Sequence, residues 1–144
     1  MTANSGNSKN VNADEKNDST AVTKVTIIGA TGTRMDHTLA NIGLLNQFKD
    51  AGIEAAIVDR HNKIQMLSGK EEITINKLKQ FGRFISCIPV TPVVTGLTMQ
   101  GFKYSLDGYE LRQGVSVGVS NEITEDEAVI KIEEGRMLVF ETRD

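Results

Sequence analysis

The chain has 144 residues, a net charge of −3, 39% hydrophobic and 24% charged residues, which is typical of a globular protein with one ordinary domain or two small ones. It has no basic stripe, no apolar stretch that could span a bilayer and no N-terminal signal-peptide pattern, so we expect neither a nucleic acid nor a membrane as partner. The single cysteine, Cys87, excludes an internal disulfide and fits a cytoplasmic location.

Residues 1–20 form a polar leader, with no aromatic and almost no aliphatic side chain. Such a segment cannot bury enough apolar surface to fold by itself. We therefore predict a flexible tail there.

A strand, a helix and two further strands are predicted over residues 21–68. VTKVTII, which ends at Gly29, is typical of a buried strand. The helix that follows has one apolar face, made of residues spaced three apart and one neighbour: Leu39, Ile42, Leu45, Phe48 and Leu44. Asp36 or Thr33 is the predicted N-cap, and Gly52 the predicted stop.

The segments IEAAIVD and NKIQMLSG predict the second and third strands, the latter with Ile64 and Met66 alternating against Lys63 and Gln65. After Gly69 only short alternating segments remain: EEITINKL, RFISCIPV, VVTGLTMQGFKYSL, VSVGVSNEI, DEAVIKIEEG and RMLVFETRD. Cys87, inside RFISCIPV, is predicted to be a core residue. The fold class predicted is thus a partial α/β domain over 21–68, a strand–helix–strand remnant of a doubly wound sheet, followed by an antiparallel β-sandwich over 69–144.

A glycine turn, GATG, joins the first strand to the helix, and Gly29, Thr31 and Gly32 are its candidate phosphate ligands. Glycines let a backbone approach phosphate, and a helix N-terminus carries partial positive charge. The third glycine of a dinucleotide-binding fingerprint would fall at Met35, which counts against that motif. A purely structural turn and a phosphate-binding turn both remain open.

Charged residues crowd the start of the helix in the segment RMDH. Asp36 suits a helix N-terminus, whereas Arg34 does not, which favours an arginine that holds an anion with an acid beside it. The alternative is an N-cap with a solvated arginine. His37 and His61 have no partner at metal-ligand spacing, so no metal site is predicted from them.

A second cluster lies in GFKYSLDGYELRQGVSVGVSNE, where Lys103 and Tyr104 are predicted in one strand, on opposite faces. Ser120 and Asn121 end another. An exposed aromatic beside short polar side chains suits a flat heteroaromatic ligand. The alternative is a hairpin with a core tyrosine.

Together, GATGTRMDHTLANI, GFKYSLDGYELRQGVSVGVSNE and the terminal EEGRMLVFETRD resemble blocks of the thiamine pyrophosphokinase (thiamine diphosphokinase) family, in colinear order from about Thr23 to Asp144. The resemblance implies an α/β domain that binds ATP, a β-sandwich that helps to bind thiamine, and homodimers with active sites between subunits. The implied reaction moves a pyrophosphoryl group from ATP to the thiamine hydroxyl, releases AMP and needs Mg²⁺.

By position, the resemblance implies that Arg34 and Asp36 lie at the catalytic cleft, Arg34 nearer phosphate, and that Tyr104, Ser120 and Asn121 contact thiamine. The family's acidic glycine–aspartate–x–aspartate–serine motif before the glycine turn is absent here. We therefore expect a C-terminal portion of the enzyme that catalyses poorly alone. The alternatives are a non-catalytic thiamine-binding module and, from the glycine turn alone, an NAD(P)-binding reductase fragment.

Overall fold

A computed structural model describes residues 21–144, so the leader predicted over 1–20 lies outside the described residues. The described chain forms ten strands and one helix: β1 (Lys24–Ile28), α1 (Met35–Asp50), β2 (Glu54–Val58), β3 (Asn62–Ser68), β4 (Glu72–Asn76), β5 (Phe84–Pro89), β6 (Val93–Gln100), β7 (Leu106–Arg112), β8 (Asn121–Glu122), β9 (Glu127–Lys131) and β10 (Arg136–Thr142). Over residues 21–144, no helix has the length and apolar character needed to cross a bilayer.

The first strands and the helix occur where the sequence predicts them. β1 and β2 pair in parallel, and β3 continues the sheet antiparallel to β2. β1 is not the buried strand that was predicted: Ile28 is 81% exposed, because β1 is the edge strand and Ile27, on its other face, is the side chain that packs against the buried cluster containing Leu45.

The start of α1 differs from the prediction, whereas its end agrees. Neither Asp36 nor Thr33 is the N-cap; that position is Arg34, whose side chain makes no capping hydrogen bond. The hydroxyl of Thr38 donates to the Arg34 carbonyl instead. Gly52, with φ of 69°, follows the C-cap as predicted for a helix stop.

Only part of the predicted apolar helix face is buried. Leu45 is 1% exposed and packs in a cluster with Ile57 and Ile64, and Ile42 lies against the same cluster. Leu39 lies in the first turns and remains exposed, and Leu44 is about 100° around the helix from Leu45.

Six strands form one continuous sheet in the order β1-β2-β3-β10-β5-β8. β10, at the end of the chain, inserts between β3 and β5, with Leu138 opposite Met66 and Ile88. The division predicted near residue 68 therefore runs through this sheet. The structure therefore does not confirm a separate α/β remnant followed by a sandwich.

The second sheet, in the order β4-β9-β6-β7, packs on one face of the first. The interior between the sheets is apolar, and its fully buried members include Ile85, Cys87, Val139, Val94, Leu97, Met99 and Ile130. Cys87 is thus a core residue as predicted, and burial raises the pKa of its thiol to about 12. The six-stranded sheet is the middle of three layers, with α1 on one face and the four-stranded sheet on the other.

Two predicted strands in the second half are wrong. The segment 93–106 is not one strand, because β6 ends at Gln100 and Gly101 turns the chain with φ of 80°. A Cβ at Gly101 would lie 2.4 Å from the Glu127 carbonyl oxygen, so the close approach requires glycine. Of VSVGVSNEI only Asn121–Glu122 is a strand, and β7 was not predicted.

Candidate active site

The glycine turn lies at the end of β1 and leads directly into α1. Gly29 adopts a left-handed backbone, with φ of 76°. The amide of Asn41, on α1, donates to the Ala30 carbonyl at 2.8 Å and ties the turn to the helix. A cleft of about 300 Å³ is open beside the turn; its lining is Gly29, Ala30, Thr31, Gly32, Thr33, Arg34, His37, Thr38 and Asn41.

Arg34 lines this cleft, and Asp36, which is not among the lining residues, pairs with it. The guanidinium donates twice to the carboxylate, Nε to Oδ1 at 3.3 Å and Nη2 to Oδ2 at 2.6 Å. Both side chains are mostly exposed, at 70% and 65%. The hydrogen bond from Arg34, with a smaller effect of the His37 backbone N–H, lowers the pKa of Asp36. The pair offers an ionised carboxylate and an accessible cation at a helix N-terminus.

Asp59, which is not among the site residues predicted from the sequence, lies on the other side of the turn. It follows β2 directly, and the Thr31 hydroxyl donates to its Oδ2. The sequence pattern that could have indicated Asp59 is an acid directly after the second strand of a parallel pair, because the carboxyl ends of such strands lie side by side.

Tyr104 belongs to the connection between β6 and β7, not to a strand. Its side chain is 61% exposed, which excludes a core tyrosine. The ammonium group of Lys103, also exposed, lies 5.5 Å from the ring centroid.

The buried Asn121 fixes the backbone of the β6–β7 connection at Tyr104. It is only 2% exposed; its Nδ2 donates to the Tyr104 carbonyl at 2.7 Å, and its Oδ1 accepts the Tyr104 backbone N–H at 3.1 Å. Ser120 is exposed and left-handed, with φ of 58°, and its backbone N–H donates to Ser86 Oγ. The structure therefore brings Tyr104, Ser120 and Asn121 together.

An ion-pair network borders this cluster. Glu122 accepts from Arg83 Nε at 2.8 Å and lies 4.0 Å from Lys103 Nζ. The Arg83 hydrogen bond, opposed by desolvation and assisted by the two cations, lowers the pKa of Glu122. The network keeps the surroundings of Tyr104 ionic at neutral pH.

The two clusters lie at opposite edges of the six-stranded sheet. The turn follows β1, and Asn121 begins β8. Five strand spacings of about 4.8 Å separate these edges, which is about 24 Å. One chain therefore does not bring the predicted phosphate and ring residues together.

Metal ligands are sparse in residues 21–144, where no group of three or more His, Cys, Asp or Glu side chains is placed to hold an ion. Asp36 is engaged by Arg34 and Asp59 by several donors. The described residues therefore do not fit a Mg²⁺ site.

Comparison with known proteins covers most of the chain. The family "Thiamin pyrophosphokinase, vitamin B1 binding domain" matches residues 70–137. A thiamine pyrophosphokinase of Bacillus subtilis (strain 168) is 32% identical over 121 residues, 83% of this chain and 55% of that protein. Thiamin pyrophosphokinase 1 of Caenorhabditis elegans is 24% identical over 108 residues, 74% of this chain and 44% of that protein. The chain thus spans about half the length of the curated relatives it matches.

Solved structures agree with these matches. The crystal structure of the Bacillus subtilis thiamine pyrophosphokinase superposes with a TM-score of 0.79, covering 85% of this chain and 56% of that one. Yeast thiamin pyrophosphokinase, at 16% identity and a TM-score of 0.65 over 81% of this chain and 39% of that one, shares the fold. The sequence blocks, the sheet arrangement and these relatives all indicate the thiamine pyrophosphokinase family.

Proposed function

We propose that this chain takes part in transfer of a pyrophosphoryl group from ATP to the hydroxyl of thiamine, giving thiamine diphosphate and AMP. The observation that carries the proposal is the exposed Tyr104 ring, on a backbone that the buried Asn121 holds, within the segment matched to a vitamin B1 binding domain. The relatives' names support the same activity. They give no support to the reductase alternative.

Tyr104 is the proposed platform for thiamine. Its exposed ring supplies a flat apolar face, and stacking on such a face contributes about 0.5–1.5 kcal/mol beyond area burial. The exposed Ser120 hydroxyl is proposed to bind the polar edge of the ligand. Asn121 fixes the Tyr104 backbone, because both ends of its amide are hydrogen-bonded to that backbone, and so sets where the ring leaves the chain.

The glycine turn is the proposed site of the ATP phosphates. Gly29, Thr31 and Gly32 let the backbone approach them, and the N-terminus of α1 adds partial positive charge. Arg34 is proposed to hold the transferred group, and Asp36 to orient the guanidinium with its two hydrogen bonds.

Mg²⁺ is proposed to accompany ATP, because charge on a triphosphate has to be neutralised as it is attacked. Residues 21–144 do not fit a site for the ion. We therefore assign no step of the reaction to metal ligands of these residues.

A homodimer is proposed because the turn and the ring cluster are about 24 Å apart in one chain, five strand spacings of the sheet. Reacting atoms need to come within about 3–3.5 Å of each other. A second copy that places its ring cluster against the turn of the first would meet that need.

The test is a product assay with the 144-residue chain, ATP, Mg²⁺ and thiamine. We expect AMP and thiamine diphosphate in equal amounts, at a low rate because residues 21–144 hold no carboxylate cluster for the ion. Asp36→Asn should abolish the product, whereas Asp107→Asn, an exposed acid on β7, should not.

The nucleotide product separates the possible reactions. ADP instead of AMP would contradict pyrophosphoryl transfer. Saturable thiamine binding with no product at all would favour the non-catalytic module.

A further inference from the structure

Asp59 lies directly after β2, beside the glycine turn that follows β1. β1 and β2 are parallel neighbours in which Ile28 pairs with Val58, so Gly29 and Asp59 are the first residues beyond the two strands. Both therefore lie at the carboxyl ends of these neighbouring strands, and Asp59 is within reach of the turn.

The Asp59 carboxylate is saturated with donors. Oδ1 accepts the backbone N–H groups of His61 and Asn62, both at 2.7 Å, and Asn62 Nδ2 donates to both oxygens at 3.1 and 3.0 Å. Oδ2 also accepts the Thr31 hydroxyl. Partial burial by itself would raise the pKa of Asp59. The hydrogen bonds outweigh this effect and lower the pKa to about 2. Asp59 is therefore a fixed anion whose bonds are all internal.

The contact with Asp59 decides what Thr31 can do. A hydroxyl has one proton to donate, and Thr31 gives it to Asp59. The side chain therefore has no proton left to donate to a phosphate oxygen. What the contact does is fix the turn to β2, while Asn41 fixes the preceding carbonyl to α1.

We propose that Asp59 is a positioning residue for nucleotide binding, which acts by holding Thr31 so that the turn keeps the backbone conformation that receives phosphate. This inference rests on the proposed function of the turn. It separates two roles for Thr31, since a direct hydroxyl contact with phosphate and a backbone held through Asp59 predict opposite effects of removing the carboxylate.

The test measures the dissociation constant of ATP with Mg²⁺ by calorimetry, beside a thermal melt, for the 144-residue chain and its variants. Thr31→Val and Asp59→Ala should each weaken binding about tenfold, because each removes the same charge-assisted hydrogen bond. The double variant should bind ATP with the same affinity as the weaker-binding single variant, since both substitutions remove one contact. Thr31→Ser keeps the hydroxyl and should rescue binding, and Asp107→Ala is the matched control.

The outcomes separate the inference from the proposed function. If the parent chain shows no saturable ATP binding, the nucleotide site itself fails, and the inference with it. If the parent binds and Asp59→Ala binds equally or more tightly, only the positioning role is overturned, because the freed hydroxyl then serves phosphate directly. A lower melting temperature with unchanged binding would also overturn it. If Asp59→Ala does not fold, Asp59→Asn decides, because it keeps the shape of the side chain and removes its charge: weaker ATP binding supports the positioning role, and equal or tighter binding overturns it.

Discussion

At the scale of single residues, two polar side chains hold the backbone on which the candidate ligand residues lie. Asp59 fixes the turn through Thr31, and Asn121 fixes the connection that carries Tyr104. The sequence indicated the turn and the aromatic, because glycine and residue order mark them locally. It did not indicate Asp59, whose bond to Thr31 joins residues 28 positions apart.

Asp59 also makes the stability of the fold depend on pH. Its pKa is lowered from 3.8 to about 2 in the folded chain, by hydrogen bonds that outweigh desolvation. The ionised carboxylate therefore contributes fully to the free energy of unfolding above pH 3.8, and this contribution is lost as the pH falls toward 2. We expect the free energy of unfolding of the parent to fall more steeply than that of Asp59→Asn between these values. Denaturant titrations from pH 5 to about 2 measure it; parallel curves would contradict the assignment.

At the scale of elements, local periodicity predicted β1, α1, β2 and β3. The pairing order was not predictable, because alternation shows which face of a strand is buried and not which strand lies beside it. The insertion of β10 between β3 and β5 is such a case. The alternating valines of VSVGVSNEI are exposed, so the alternation that predicts a strand there occurs in a loop.

The helix face offers a matched pair of leucines. Leu45 is 1% exposed and Leu39 is 64% exposed. Leu45→Ala should destabilise the chain by about 2–5 kcal/mol, since it leaves a cavity against the sheet. Leu39→Ala should change stability by no more than about 0.5 kcal/mol. Urea unfolding compares the two, and equal losses would show that α1 packs through a different face.

At the scale of the whole molecule, one sheet is shared by the two halves of the chain, whose predicted boundary lies near residue 68. Its outer strand β1 exposes Ile28, and Val22 and Leu39 are also exposed. Apolar groups at a sheet edge favour association with another chain. The separation of the two clusters adds a functional reason for the same arrangement.

We therefore expect a dimer with twice the chain mass of 15.7 kDa at micromolar concentration, measured by light scattering. Mixing the Asp36→Asn and Tyr104→Ala chains tests shared sites, because one of the two sites in each mixed dimer would be intact. At subsaturating thiamine, the mixture should give more product than the mean of the two variants assayed separately, because Asp36→Asn alone gives none and Tyr104→Ala alone gives a reduced amount. A monomer, or a mixture that gives no more product than this mean, would contradict shared sites.

The most direct test of the proposed thiamine site is a calorimetric titration of the 144-residue chain with thiamine, run with thermal melts. We expect saturable binding by the parent, about fivefold weaker binding by Tyr104→Ala from the lost stacking, and near-parental binding by Tyr104→Phe. Leu78→Ala, which truncates a side chain that is 95% exposed, is the control and should bind like the parent. If Tyr104→Ala binds thiamine as the parent does, or the parent shows no saturable binding, the proposed thiamine site is wrong.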